Sequence, residues 1–183
     1  QVQYVCRAGN FLKKGLPYTG ALKVLKVMMG YEYLWTQVRV KGGAYGCMCT
    51  FSRSGDSYFV SYRDPNLEKT IETYQEAADY VKNYEADERT VTQFIIGAVS
   101  ELDTPMTPKG RGNYSLSGYL TGLTMDRIQQ ERDELLATTA ETIKGLSCYI
   151  EAFMKDDCLC VVGNGEKIKE EKKLFLSVDQ LFH

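Results

Sequence analysis

Apolar and polar positions change rhythm several times along the chain, and each rhythm predicts a type of element. Residues 1–6 read as a strand. After Gly15-Leu16-Pro17, the positions Leu22, Leu25, Met28 and Met29 fall on one helical stripe, which predicts a core-facing helix. Gly30 interrupts it, and Leu34, Trp35 and Val38 predict a second short helix or a bent continuation of the first. Residues 45–51 and 57–62 are aromatic, β-branched or small, and Ser52-Arg53-Ser54-Gly55-Asp56 between them supplies the glycine a hairpin loop wants. Asp64 and Pro65 read as an N-cap and a first-turn proline, followed by Leu67, Ile71, Tyr74, Ala78 and Val81 at helical spacing. Asp87 is placed to cap a further helix whose apolar face runs from Val91 through Phe94, Ala98 and Leu102 and stops before Pro105.

The second half is less regular. Residues 103–123 hold two prolines and four glycines with little periodicity, which predicts a long surface connection. Lys109 and Arg111 there either meet a ligand or are solvated. Thr124 starts a helix through Met125, Ile128, Leu135 and Leu136, and Thr138 with Glu141 forms a capping-box pattern for another, carrying Ile143, Leu146, Ile150 and Phe153. Residues 158–162 form a continuous apolar run of the kind found in a strand covered on both faces. Gly163-Asn164-Gly165 then turns into a charged helix over 166–173. Hairpin pairing with segregated helices predicts an α+β class, a mainly antiparallel sheet packed against a layer of helices.

Composition agrees with a globular domain: 44% of residues are hydrophobic and 25% charged, so the chain can build a core. No apolar run approaches the ~20 residues that cross a bilayer, and no membrane partner is expected. The 22 basic and 24 acidic residues are dispersed, with net charge −2, which disfavours nucleic acid as a partner. The chain opens at Gln1 directly into a strand-like stretch without a signal-type leader, and reads as a piece of a longer protein, residues 1–183 forming one domain.

Cys47 and Cys49, like Cys158 and Cys160, are two apart in strand-like stretches, so each pair shares a face. They read either as buried free thiols in a reducing compartment or as a four-thiolate zinc site. Zinc ribbons draw their sulfurs from turns, which favours the thiols. His183 is the only histidine and the last residue, so H-x-x-E-H, H-E-x-x-H and Ser/His or Cys/His pairs within a fold are missing. No phosphate-binding glycine loop occurs either. What remains is Arg39-Val40-Lys41-Gly42-Gly43-Ala44-Tyr45-Gly46: a helix end bearing a cation, a glycine-rich turn, and a strand opening on a tyrosine. The glycines allow positive φ or the close approach of an extended peptide. Arg39 and Tyr45 would then offer a fork of charged donors and one phenolic donor to the same region, or serve simply as a surface side chain and a sheet residue.

This segment resembles the carboxy-terminal region of pitrilysin-type zinc metallopeptidases of the presequence-protease branch. Gly20-Ala21-Leu22-Lys23-Val24-Leu25, Asp103-Thr104-Pro105, Pro108-Lys109-Gly110, Gly118-Tyr119-Leu120-Thr121-Gly122-Leu123-Thr124, Arg132 and Leu135-Leu136-Ala137-Thr138-Thr139 extend the likeness over most of the chain. The resemblance implies a metallohydrolase-like fold of the processing-peptidase type and a clamshell of two halves. Zinc is then held by an H-x-x-E-H helix in the amino-terminal half, with no metal ligand and no cofactor in this chain. It implies that Arg39 and Tyr45 reach the scissile region of an unstructured peptide, Tyr45 donating to the developing oxyanion, with Gly42, Gly43 and Ala44 setting the angle between them. The partners implied are the amino-terminal half and peptide substrates, the setting a bacterial cytoplasm. The chain alone is expected to cleave nothing. The alternative is a non-catalytic scaffold or assembly module of the same fold.

Overall fold

A computed structural model describes residues 2–180. His183, singled out above, lies outside the described residues. Strand β1 (Gln3–Asn10) leads through a short 3-10 turn into helix α1 (Ala21–Met28), and the chain continues without a break into a π-helical segment, Met29–Lys41. This is the bent continuation rather than a separate helix. Its buried residues Met29, Tyr33, Leu34 and Val38 include pairs five apart, the spacing of one wider turn. Strands β2 (Gly46–Phe51) and β3 (Asp56–Asp64) form the expected hairpin, followed by α2 (Glu68–Lys82) and α3 (Glu88–Leu102). Asp64 does not cap α2 as expected. It belongs to β3, and its buried carboxylate accepts from the Asn66 N–H at 2.9 Å and the Thr70 hydroxyl at 2.8 Å, pinning the strand-to-helix connection. Asp87 caps α3 as expected, accepting from the Thr90 N–H at 2.8 Å.

The stretch 103–123 departs from the predicted connection: it holds α4 (Pro108–Thr121), with Thr107 as N-cap and Pro108 in the first turn. The helix buries no residue, so the sequence carries no apolar stripe to announce it. Helix α5 (Met125–Leu136) starts at the Thr124 cap. The cap of α6 (Ala140–Gly145) is Thr139, one residue beyond the predicted Thr138, and a break at Leu146 separates α6 from α7 (Ser147–Met154). Strand β4 (Cys158–Val162) and α8 (Gly165–Glu170) follow.

The four strands lie in the order β2-β3-β1-β4, every neighbouring pair antiparallel. Helices α1, α2 and α7 pack against one face. There Phe59 of β3 is fully buried, its ring 5.2 Å from that of Phe153 and 5.6 Å from that of Tyr74. Truncating a buried aromatic of this kind costs about 3–5 kcal/mol. Alternation along the strands turns Tyr4, Cys6, Met48, Tyr58, Val60, Tyr62 and Val162 to the other face, where they are partly or largely exposed. Strand β4 is an edge strand with its residues exposed or half-buried, not the doubly covered strand the apolar run predicts. An apolar run records the composition of a strand and not its place in the sheet. Among the described residues no helix is long and apolar enough to cross a membrane.

Candidate functional site

The π-helical segment ends at Lys41 beside the start of the β2 edge strand, and the turn between them is held by backbone bonds. The Gly43 N–H donates to the Arg39 carbonyl at 2.9 Å, the Ala44 N–H to the Val38 carbonyl at 3.2 Å, and the Tyr45 N–H to the Arg63 carbonyl at 3.3 Å. The Asn66 amide also donates to the Gly42 carbonyl. Gly43 has φ +80°, and a Cβ on Gly42 would sit 2.4 Å from the Val38 carbonyl oxygen. A side chain at position 42 would force the backbone to move, and one at position 43 would be strained, so both glycines shape this turn.

This turn sets Arg39 and Tyr45 around one cavity of about 660 Å³, lined also by Trp35, Val40, Gly43, Ala44 and Arg63. The Arg39 guanidinium lies 3.8 Å from the centre of the Trp35 ring, a cation–π stack that fixes its direction. Tyr45 is 59% exposed, and its ring meets that of Tyr62 edge-on at 5.1 Å. Among the described residues its phenol makes no hydrogen bond, and Arg39 makes no ion pair. Arg39's charge is felt at Cys47: burial, with Asp64 adding to it, pushes that thiol up to about 11 against the opposing pull of Arg39. The sequence-derived residues Arg39, Gly43, Ala44 and Tyr45 thus meet at the cavity, and Gly42 stands behind them in the turn. Three further lining residues have no site role in the sequence reading: Trp35, which belongs there to a helical stripe, Val40, and Arg63, which alternation alone leaves as one more strand residue.

The cysteine pairs do not meet. Cys47 and Cys49 are on β2 and Cys158 and Cys160 on β4, at opposite edges with two strands between, about 14 Å apart at ordinary strand spacing. The register also points the pairs to opposite faces. The four-thiolate arrangement is therefore not formed, and no group of three or more His, Cys, Asp or Glu able to hold a metal occurs among the described residues. The thiol reading holds for Cys49, which is buried and pushed up to about 12 by that burial, and in part for half-buried Cys47. Cys158 and Cys160 are instead exposed, because the register turns them to the face away from the helices.

Residues 1–162 match the model of the family described as PreP C-terminal domain. The chain is 45% identical over 177 residues to Protein HypA of Clostridium perfringens, covering 97% of this chain and 18% of that protein. It is 36% identical over 169 residues to presequence protease 1, chloroplastic/mitochondrial, of Arabidopsis thaliana, covering 92% of this chain and 16% of the relative. The chain thus spans less than a fifth of the length of these relatives. Among solved structures, pitrilysin superposes with TM-score 0.59 at 11% identity, over 87% of this chain and 18% of that one. A peptidase M16 inactive domain from Pseudomonas fluorescens does so with TM-score 0.59 at 15% identity, over 87% and 39%. At these identities the structural likeness carries the fold alone.

Proposed function

We propose, from the premise that this chain belongs to the PreP C-terminal domain family of pitrilysin-type peptidases, that residues 1–183 are the zinc-free carboxy-terminal domain of a metalloendopeptidase that degrades unstructured peptides. Zinc belongs in this reading to the amino-terminal half; among the described residues no group of His, Cys, Asp or Glu is arranged to hold it. Bound there, it would supply Lewis-acid activation of the hydrolytic chemistry. The residues of this chain bind and orient. Arg39, braced on Trp35, holds carbonyl or carboxylate groups of an extended peptide. The unengaged, exposed Tyr45 phenol donates a hydrogen bond to the scissile carbonyl oxygen as negative charge grows on it. A donor placed for the transition state contributes ~3 kcal/mol. Gly42, Gly43 and Ala44 fix the angle between the two groups and leave a backbone low enough for a peptide to lie against.

The observation that carries this reading is the convergence of Arg39 and Tyr45 on one open cavity, neither taken up by an ion pair or a side-chain hydrogen bond among the described residues. A scaffold role gives no reason to leave them so. The test is peptide cleavage by this domain joined to its amino-terminal half. Tyr45→Phe should lower kcat by about a hundredfold or more, and Arg39→Ala should lower kcat/KM about tenfold or more, with circular dichroism unchanged in both. Equal cleavage by all three proteins would refute the assignment.

A further inference from the structure

Arg63 sits where the β1–β3 register slips. Val5 pairs with Ser61 and Gln3 with Asp64, so β3 advances three residues while β1 advances two, and the surplus forms a β-bulge at Tyr62-Arg63. Bulges recur beside active sites because they re-aim a side chain. Arg63 has φ +49°, one of two non-glycine residues with positive φ among the described residues. An L residue with a long side chain disfavours that conformation. Glycine, asparagine or aspartate would sit there more easily, so the presence of arginine needs a reason beyond the turn.

The reason lies in where the guanidinium goes. It is 5.6 Å from the centre of the Tyr45 ring and 5.9 Å from that of Tyr62, and it lines the same cavity as Arg39. Its own carbonyl receives the Tyr45 N–H, so the bulge that aims Arg63 also seats Tyr45. The carboxylate next in sequence does not neutralise it: Asp64 is fully buried and engaged with Asn66 and Thr70. Neither Arg39 nor Arg63 makes an ion pair among the described residues, so the cavity presents two cations and no matching anion.

We propose that Arg63 is a second substrate-binding cation which, with Arg39, forms a carboxylate subsite. The domain then favours peptides bearing an aspartate, a glutamate or a free carboxy-terminus close to the scissile bond. This rests on the cavity being the peptide site. A guanidinium is suited to it because its planar fork binds a carboxylate through two parallel hydrogen bonds, and of the charged groups a peptide brings, only its carboxylates are anionic.

The test uses the domain joined to its amino-terminal half and a family of fluorogenic peptides of one sequence. One arm compares Glu with Gln next to the cleaved bond, and the other compares a free with an amidated carboxy-terminus, which separates the two sources of carboxylate. The wild type should cleave one of the acidic forms about tenfold better in kcat/KM, chiefly through KM, as expected for one charge-assisted contact. Arg63→Gln should abolish that ratio and Arg63→Lys should restore part of it. If Arg63→Gln lowers acidic and neutral peptides by the same factor, or leaves the ratio intact, the subsite is refuted while the peptidase reading stands. If Tyr45→Phe and Arg39→Ala leave cleavage untouched, the cavity is not the peptide site and both readings fall.

Discussion

The two edges of the sheet carry equally suggestive residues and end in different states. At the β2 edge, Arg39, Tyr45 and Arg63 come from a helix end, a strand start and a bulge, and converge on one cavity. At the β4 edge, Cys158 and Cys160 follow plain alternation along a strand, with Val162 beside them on the same face. The difference is in the backbone. The β2 edge has a positive-φ glycine, a second glycine pressed against a carbonyl, and an arginine held at positive φ. Regular strand geometry spaces side chains apart, and bringing three polar groups to one point requires departures from it. Reactive residue types alone do not make a site.

The contrast can be broken most forcefully at the turn. Gly42→Ala puts a methyl 2.4 Å from the Val38 carbonyl oxygen, and the backbone must move. A loss of about 2–3 kcal/mol is expected in denaturant unfolding, together with loss of peptide cleavage in the joined protein. A normal unfolding midpoint with full cleavage would show that the turn is not the constraint described. Thiol chemistry separates the edges next. With the Cys47 thiol raised to about 11 and Cys49 to about 12 by burial, their thiolate fractions at pH 8 are roughly a thousandth and a ten-thousandth. Burial also restricts the reagent's access to Cys47 and Cys49, so exposed Cys158 and Cys160 should be alkylated at least about tenfold faster. Mass spectrometry of partly labelled protein reads this directly, and first labelling at Cys47 would contradict the burial assigned to β2.

Smaller effects sharpen the picture. Arg63→Gly relieves the positive-φ arginine and should raise stability by about 0.5–1 kcal/mol, a rise of about 2–4 °C or less in Tm. A site residue that costs stability is the expected pattern where function holds the backbone in place. Cys160→Ser, at the other edge, should change stability by no more than about 0.5 kcal/mol.

The hairpin, α2, α3 and the residues of the turn are legible in the sequence because each has a local cause: alternation, helical spacing, a cap, or glycines between a cation and a phenol. Helix α4 is not legible, because a helix with no buried residue has no stripe and its three glycines, Gly110, Gly112 and Gly118, read as loop. The position of β4 is not legible either, because order in a sheet is a tertiary fact. Arg63 was invisible for the same reason: a bulge is a mismatch between two strands, and nothing in Tyr62-Arg63-Asp64 announces that β1 is one residue short opposite it. The pairing of Arg39 with Tyr45 across the turn is legible in the sequence, whereas the arrival of Arg63 beside them is not.

The central claim is that Arg39 and Tyr45 face the same bound peptide. The most direct measurement is a structure of the domain joined to its amino-terminal half, with a peptide trapped uncleaved. The Tyr45 hydroxyl is predicted to lie within about 3 Å of the scissile carbonyl oxygen, with the Arg39 guanidinium in hydrogen-bond contact with the same peptide. A peptide lying elsewhere, with the cavity beside Trp35 holding only solvent, would contradict the account.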